Sequence, residues 1–300
     1  ATATTNSIAK YSKHECTVVN RDVDIRSVYD KFDVVCFHNS NDLIYDNRKH
    51  VYDIIKKSDY KICVGIQSHR VIDKGFMHRI KDMDNIIGLC SPTLNHLNEA
   101  KESLDYKDLV YEVTPYSVDA DHFGVINEIN ENSMDKLRVG FVGSFTSCKN
   151  FKTVTEVAFN ILKDEVEPML YGRVGKRVDH KDMYKEYNKM DCMVVSSKVN
   201  EKRPYETGPV PPLEAALCGR PTVTTRCGQL PYTFDDTQAL FYDGTVEGLV
   251  NSLKIFINDR KLCKEMGRNA REQMLGPAGW PNIVKTHDRF FERVYERSKI

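Results

Sequence analysis

Short apolar runs alternate with longer amphipathic stretches along the first part of the chain. The runs at 17–19, 33–37, 61–66, 85–89 and 109–113 are rich in Val, Ile, Leu and Cys and are bounded by polar residues, which predicts buried strands. Between them, 24–31, 43–57 and 92–101 carry apolar residues at helical spacing. Strand and helix alternating at this pitch predicts a parallel sheet covered on both faces. A polar segment at 127–136, NEINENSMDK, then breaks the rhythm and reads as a linker.

The alternation restarts beyond it. Strands are predicted over 138–142, ending at Gly143, over 169–171, ending at Gly172, and over 192–196, 222–224 and 239–242. Helices are predicted over 150–163, 182–189 and 211–218, with three more in the tail at 246–258, 261–274 and 281–298. The expected architecture is α/β: two doubly wound, Rossmann-like parallel-sheet domains over 1–133 and 134–279, followed by a terminal helix over 280–300. Ligands of open parallel sheets bind beyond the carboxyl ends of the strands, so the expected site is a cleft between the two units.

Composition narrows the function classes. Forty-three Lys and Arg balance 43 Asp and Glu in 300 residues, which removes the cationic excess of a nucleic-acid-binding protein. No apolar run approaches the roughly 18 residues of a membrane span, and the first residues lack the apolar core of a secretory signal. The nine cysteines are dispersed and odd in number, with no CxxC pair. They read as free thiols acting as small hydrophobes, which points to a reducing compartment, the cytoplasm.

Common fingerprints are missing: there is no GxGxxG, no GxxxxGK[ST], no HExxH and no GxSxG. The informative stretch is SSKVNEKRPYETGPVPPLEAALCGRPTVTT at 196–225. Here Glu206 and Glu214 flank a Gly208-Pro209 loop that opens a helix, and backbone N–H groups from Val210 onward suit a phosphate. Pro211 and Pro212 preset the first helical turn. A carboxylate beside a phosphate is repulsive unless it binds hydroxyls, as of a ribose or another sugar; the plain alternative is a helix start with two surface glutamates. His69 and His38 each end an apolar run and are strand-end site candidates, or else hydrogen-bonded loop residues. His180 precedes a helix and reads as a cap or as a neighbour of a nucleotide base. The remaining histidines read as surface or packing residues, and their scatter suggests no metal site.

The stretch ETGPVPPLEAALCGRPTV, with its E-x7-E spacing, resembles the signature of family-4 retaining glycosyltransferases of the GT-B fold. Other segments resemble that family in order. VTPYSVDADHF, with Pro115, Val118, Asp119 and Phe123, is similar to the segment closing its first domain, and GFVGSFTSCKN, with Gly143 and Lys149, to its Val-Gly-Arg-x-x-x-x-Lys-Gly motif. MYKEYNKMDCMVVSS is similar to the helix and strand leading to the glutamates, and GWPNIVKTHDRFFERVYE, with Trp280, to the terminal helix that crosses back to the first domain. The resemblance implies a retaining hexosyltransferase that takes a sugar from a nucleotide diphosphate donor, UDP- or GDP-linked, to a hydroxyl on a glycan, lipid-linked or small-molecule acceptor. It implies no metal and no cofactor beyond the donor itself, no nucleic-acid partner, and peripheral contact with a membrane as an option. By position, Lys149 pairs with the diphosphate, Glu214 holds ribose hydroxyls, and Glu206 holds sugar hydroxyls beside the reacting centre. Amides of Gly208, Val210 and Leu213, around Pro209, take the distal phosphate. His69 stands where the family often has a histidine near the reacting carbon.

Two departures accompany the match. Ser144 follows Gly143 where the family usually has Arg, which leaves one diphosphate cation missing. Arg173, Lys176, Lys202 and Arg203 are candidates to replace it, Arg173 first because it directly follows a strand end, and the plain alternative is a solvated charged face. The chain also opens on ATATTNSIAK, past the family's first strand and Gly-rich loop, as if the first domain were reduced or truncated. The alternative functions are a nucleotide-sugar epimerase of the same fold and a non-catalytic sugar-nucleotide-binding module.

Overall fold

The computed structural model describes residues 2–19, 31–37, 62–65, 81–104, 108–144, 146–199 and 206–300. Packing divides the chain into two compact units, Ala1–Tyr116 with Trp280–Ile300, and Ser117–Gly279. In chain order the first unit contributes α1 (Thr2–Tyr11), β1 (Val35–Phe37), β2 (Ile62–Gly65), β3 (Ile86–Ser91), α2 (Leu94–Ser103) and β4 (Val110–Val113). The second contributes β5 (Leu137–Gly143), α3 (Glu156–Ile161), β6 (Val166–Gly172), α4 (Met183–Tyr187), β7 (Cys192–Val195), α5 (Pro211–Leu217) and β8 (Thr222–Thr224). It continues with α6 (Leu230–Thr233), β9 (Ala239–Phe241), α7 (Val246–Asn258) and α8 (Arg260–Leu275), and α9 (Trp280–Ser298) then returns to the first unit.

The first unit holds a parallel sheet in the order β1-β2-β3-β4. Helix α9 lies on β3 and β4, and Phe290 and Val294 fill the core with Cys63 and Cys90. Gly88 makes room for it, since a Cβ there would stand 2.7 Å from Val294 Cγ2. On its other side α9 receives α1, with Ile8 packed on Trp280 and Val284. The contact is closed by Ser12 Oγ donating to Asp288 Oδ1 at 2.5 Å and the Lys13 N–H donating to Oδ2 at 3.2 Å. The strand expected at 17–19 is irregular chain, with Val18 and Val19 exposed. The helices expected over 24–31 and 43–57 lie outside the described residues, apart from Lys31.

The second unit holds a five-stranded parallel sheet in the order β6-β5-β7-β8-β9. Apolar residues of its strands, among them Leu137, Val139, Val194 and Val223, meet Phe159 of α3 and Leu253 and Phe256 of α7 in one core. The chain leaves β5 toward β6 on one side and resumes at β7 on the other, so the topological switch lies between the carboxyl ends of β5 and β7, where open sheets bind ligands. At the opposite end Asp191 anchors β7 to β5 by accepting from Arg138 Nη2 at 2.7 Å and Nε at 3.3 Å.

By packing, the division between the units falls at Tyr116/Ser117, ahead of the boundary at 133/134 that the sequence suggests. The polar segment is tied to the second unit. Asn188 Oδ1 accepts the N–H groups of Ile126 and Asn127 at 2.7 and 3.3 Å. Arg220, only 1% exposed, donates to the carbonyls of Asn127, Tyr187 and Asn188. Ile129 reaches the core.

All nine cysteines are free thiols, and Cys63, Cys90, Cys192, Cys218, Cys227 and Cys263 are buried. Burial pushes the Cys218 and Cys227 thiols up to about 11. None of the described helices is long and apolar enough to cross a membrane.

Candidate functional site

Two glycines bring the ends of β5 and β6 together. Gly143 and Gly172 are register partners, and Gly172 has φ +84, where a Cβ would stand 2.6 Å from Gly143 O. That close approach lets the Arg173 N–H donate to Gly143 O at 2.9 Å. The chain beyond β5 makes a 3-10 turn at Ser147–Lys149, turns left-handed at Asn150 (φ 51), and enters the helical turn Phe151–Thr155. The end of β7 pins this loop from below. Ser196 Oγ donates to Lys149 O at 2.8 Å, and the Lys198 N–H donates to Cys148 O at 2.8 Å.

The Lys149 side chain meets Glu206, its Nζ donating to Oε2; Ser197 Oγ donates to the same oxygen at 3.1 Å. Both members of the pair are largely sheltered, Lys149 at 26% and Glu206 at 15% side-chain exposure, so their attraction is screened less than at an open surface. The backbone at Glu206 is fixed from behind. Gly228 (φ +55) lies so close that a Cβ would stand 2.6 Å from Thr207 O, and the Gln229 N–H donates to that carbonyl at 2.9 Å.

Glu214 sits in the first turn of α5, 3% exposed, with both carboxylate oxygens bonded. Tyr187 Oη donates to Oε2 at 2.6 Å and His180 Nε2 lies 2.7 Å from Oε1. Burial, reinforced by the Glu214 charge, pushes the Tyr187 phenol well above its ordinary value, so it stays a donor. His122 stacks on His180 at 6.0 Å, and Phe123 meets both rings edge-on.

The helix start between the two glutamates offers fewer donors than the sequence suggests. Pro209, Pro211 and Pro212 have no N–H, and the Leu213 N–H donates to Val210 O at 2.9 Å. Gly208 and Val210 are left, since neither N–H donates to a backbone acceptor among the described residues. Lys149, Ser196, Ser197, Pro209 and Pro211 line a crevice there, at the carboxyl ends of β5 and β7. A second crevice, lined by Asp135, Lys136, Arg138 and Glu167, lies at the amino ends of β5 and β6, away from these groups.

The structure thus brings Gly143, Lys149, Glu206, Gly208, Pro209, Val210, Leu213 and Glu214 to one region of the second unit. Ser144 bonds Thr146 Oγ1 at 3.1 Å and brings no charge. Among the candidate cations, Lys176 is committed to Glu186 at 3.1 Å, together with Tyr171 and Lys189. Burial works to raise the Glu186 pKa, but those three donors outweigh it and hold the carboxyl at about 2. Arg173 is exposed and forms no ion pair among the described residues. His38, His69, Lys202 and Arg203 lie outside the described residues. Ser197 and Tyr187 join the site without having been singled out from sequence, and His180 holds a carboxylate rather than a helix end. No group of three or more His, Cys, Asp or Glu among the described residues is placed to hold a metal.

A model of the family described as glycosyl transferases group 1 matches residues 172–273, which include both glutamates. No curated protein matches the sequence. Among solved structures, sucrose-phosphate synthase from Thermosynechococcus elongatus is similar at 14% identity with a TM-score of 0.71, over 91% of this chain and 76% of that one. A glycosyltransferase from Rickettsia africae follows at 12% identity and TM-score 0.68, over 93% and 84%. Anabaena HepE in complex with UDP is similar at 12% identity and TM-score 0.67, over 90% and 80%. The fold class is therefore α/β with two Rossmann-like parallel-sheet domains, that of the GT-B glycosyltransferases.

Proposed function

We propose that this protein is a retaining glycosyltransferase that moves a sugar from a nucleotide diphosphate donor to a hydroxyl acceptor. The observation that carries the reading is the Lys149–Glu206 pair at the carboxyl ends of β5 and β7, together with Glu214 in the first turn of the helix that follows, both glutamates within the family match. Lys149 takes the diphosphate, helped by the N–H groups of Gly208 and Val210. Glu214, oriented by Tyr187 and His180, takes the ribose diol: a carboxylate has about four lone-pair sites, and these two partners leave about two. Glu206 takes hydroxyls of the transferred sugar.

In the reaction, the bond from the anomeric carbon to the diphosphate oxygen breaks while the acceptor oxygen bonds to the same face of that carbon. The acceptor proton passes to the departing diphosphate. Lys149 stabilises the charge that develops on the leaving group, the largest contribution the chain makes. Arg173 is the second cation, in place of the arginine that Ser144 replaces. His69 keeps the place the family resemblance gives it, beside the reacting carbon. A UDP donor is favoured by the HepE complex, and a GDP donor is the alternative. The acceptor is a glycan, lipid-linked or small-molecule hydroxyl. The reaction needs no metal ion, because Lys149 supplies the positive charge. The six buried free thiols favour the cytoplasm as the compartment.

The test is release of nucleoside diphosphate from UDP- and GDP-sugars, with and without an acceptor panel, in buffer containing EDTA. Release that rises with an acceptor, survives EDTA and gives a product with the donor's anomeric configuration is expected. A protein that binds nucleotide sugars but never releases diphosphate is a binding module. Conversion of the nucleotide sugar to an epimer identifies an epimerase.

A further inference from the structure

The proposed reaction asks different things of Lys149 and Glu206, yet in the structure the two are each other's partner. A diphosphate competes for Lys149, and its negative charge repels the Glu206 carboxylate at the moment that carboxylate must receive the sugar. Ser197 is the other side-chain donor to Glu206 among the described residues, and it acts on the same oxygen.

We propose that Ser197 is the positioning residue for Glu206: its hydroxyl keeps the carboxylate at the sugar once the diphosphate has taken Lys149. The inference rests on the function proposed above. Ser197 is built for this work. It is 1% exposed and sits just past β7, where its carbonyl accepts from Thr225 Oγ1 at 2.6 Å and the Thr225 N–H donates to Val195 O at 3.1 Å. Its backbone is therefore anchored to the chain after β8, whereas Lys149 carries its charge on a flexible four-carbon stem and is the partner able to turn away. The adjacent Ser196 bonds the Lys149 carbonyl, as expected of neighbours on extended chain that point to opposite sides. One serine thus fixes the backbone of the cation and the next fixes the side chain of the acid. Gly228 and Gln229 already hold the backbone after Glu206, so the direction of its side chain is what Ser197 still has to set. A neutral hydroxyl does so without competing for the diphosphate.

The experiment compares wild type, Ser197→Ala, Glu206→Gln and the double variant. Calorimetry gives the Kd of UDP and GDP, and steady-state hydrolysis of UDP-glucose and GDP-mannose gives kcat and KM. Ser197→Ala is expected to lower kcat by about tenfold to a hundredfold, the scale of one hydrogen bond to a charged group. The nucleoside diphosphate Kd should stay within about threefold. In the Glu206→Gln background the same change should cost almost nothing further, because Ser197 acts through that carboxylate. Glu206→Gln should itself bind the diphosphate more tightly, since Lys149 is released. Should Ser197→Ala fail to fold, Ser197→Cys, close in volume and a weak donor, is read in its place. An unchanged kcat, an equal loss of diphosphate affinity, or a full further loss in the Glu206→Gln background each overturns the assignment of Ser197. Wild type that neither binds UDP or GDP nor turns over either sugar overturns the proposed function itself, and the assignment with it.

Discussion

Glu206 and Glu214 are chemically identical and differ in what holds them. Glu214 is clamped by two aromatic side chains, and Glu206 by one cation and one hydroxyl. The cation is the group to remove first. Lys149→Ala should weaken nucleoside diphosphate by about tenfold or more while nucleoside binds as before, because a charge-assisted bond contributes ~1.5–3 kcal/mol. Calorimetric titration of both ligands checks this, and equal losses for the two would misplace the phosphate. Ser144→Arg, restoring a charge beside Gly143, should tighten the diphosphate. His287 makes a prediction away from the site. Its burial beside Trp280 and Phe291 pulls the imidazole down to about 4. The unfolded chain, with an ordinary histidine near 6.5, takes up a proton where the folded protein does not. The stability involved is therefore complete above about pH 6.5 and is lost as pH falls toward 4. Between pH 7.5 and 4.5 wild type should lose about 2 kcal/mol more than His287→Leu in urea unfolding, and parallel pH profiles would contradict this. At this scale the sequence is read best where chemistry is local. The two glutamates share one segment, whereas His180 and Tyr187 reach Glu214 from 34 and 27 positions away, a distance no motif spans.

Helix α5 presents Glu214, and α8 sets where α5 ends. Arg271 Nη1 donates to Leu217 O at the last turn of α5, and Gly267 lies so near Gly219 that a Cβ would stand 2.2 Å from its carbonyl oxygen. Gly267→Ala must push two backbones apart, and it should cost about 1–3 kcal/mol or more, as overpacking does. Urea midpoints read the cost; a midpoint equal to wild type would mean the helices slide freely. The alternation of apolar runs is enough to foresee β1 to β5 and β7 to β9, because each carries an uninterrupted short run bounded by polar residues. It fails where exposed polar residues or proline break the run. Edge strand β6 begins at Val166, ahead of the apolar run at 169–171, because exposed Glu167 and Pro168 interrupt its pattern, and an edge is where a strand tolerates proline. Val18 and Val19 have strand propensity but pair with no strand among the described residues, and are irregular. Helix α1, with only Ile8 and Tyr11 as large apolar residues, shows little periodicity because it buries a single narrow strip against α9.

The whole molecule is threaded unevenly. The second unit is one continuous stretch, Ser117–Gly279, while the first is assembled from Ala1–Tyr116 and the distant Trp280–Ile300. On a ribosome the order of completion is therefore the reverse of the order of synthesis. Domains ordinarily fold in turn from the N-terminus as they emerge, but here the β1–β4 sheet waits for Phe290 and Val294 to cover it, long after its own strands have left the exit tunnel. Until then Cys63 and Cys90 lack the cover that Phe290 and Val294 give them in the finished unit. Nascent chains stalled so that residue 279 has just emerged should resist protease over the second unit and be cleaved within the first. Chains stalled after residue 300 has emerged should resist in both.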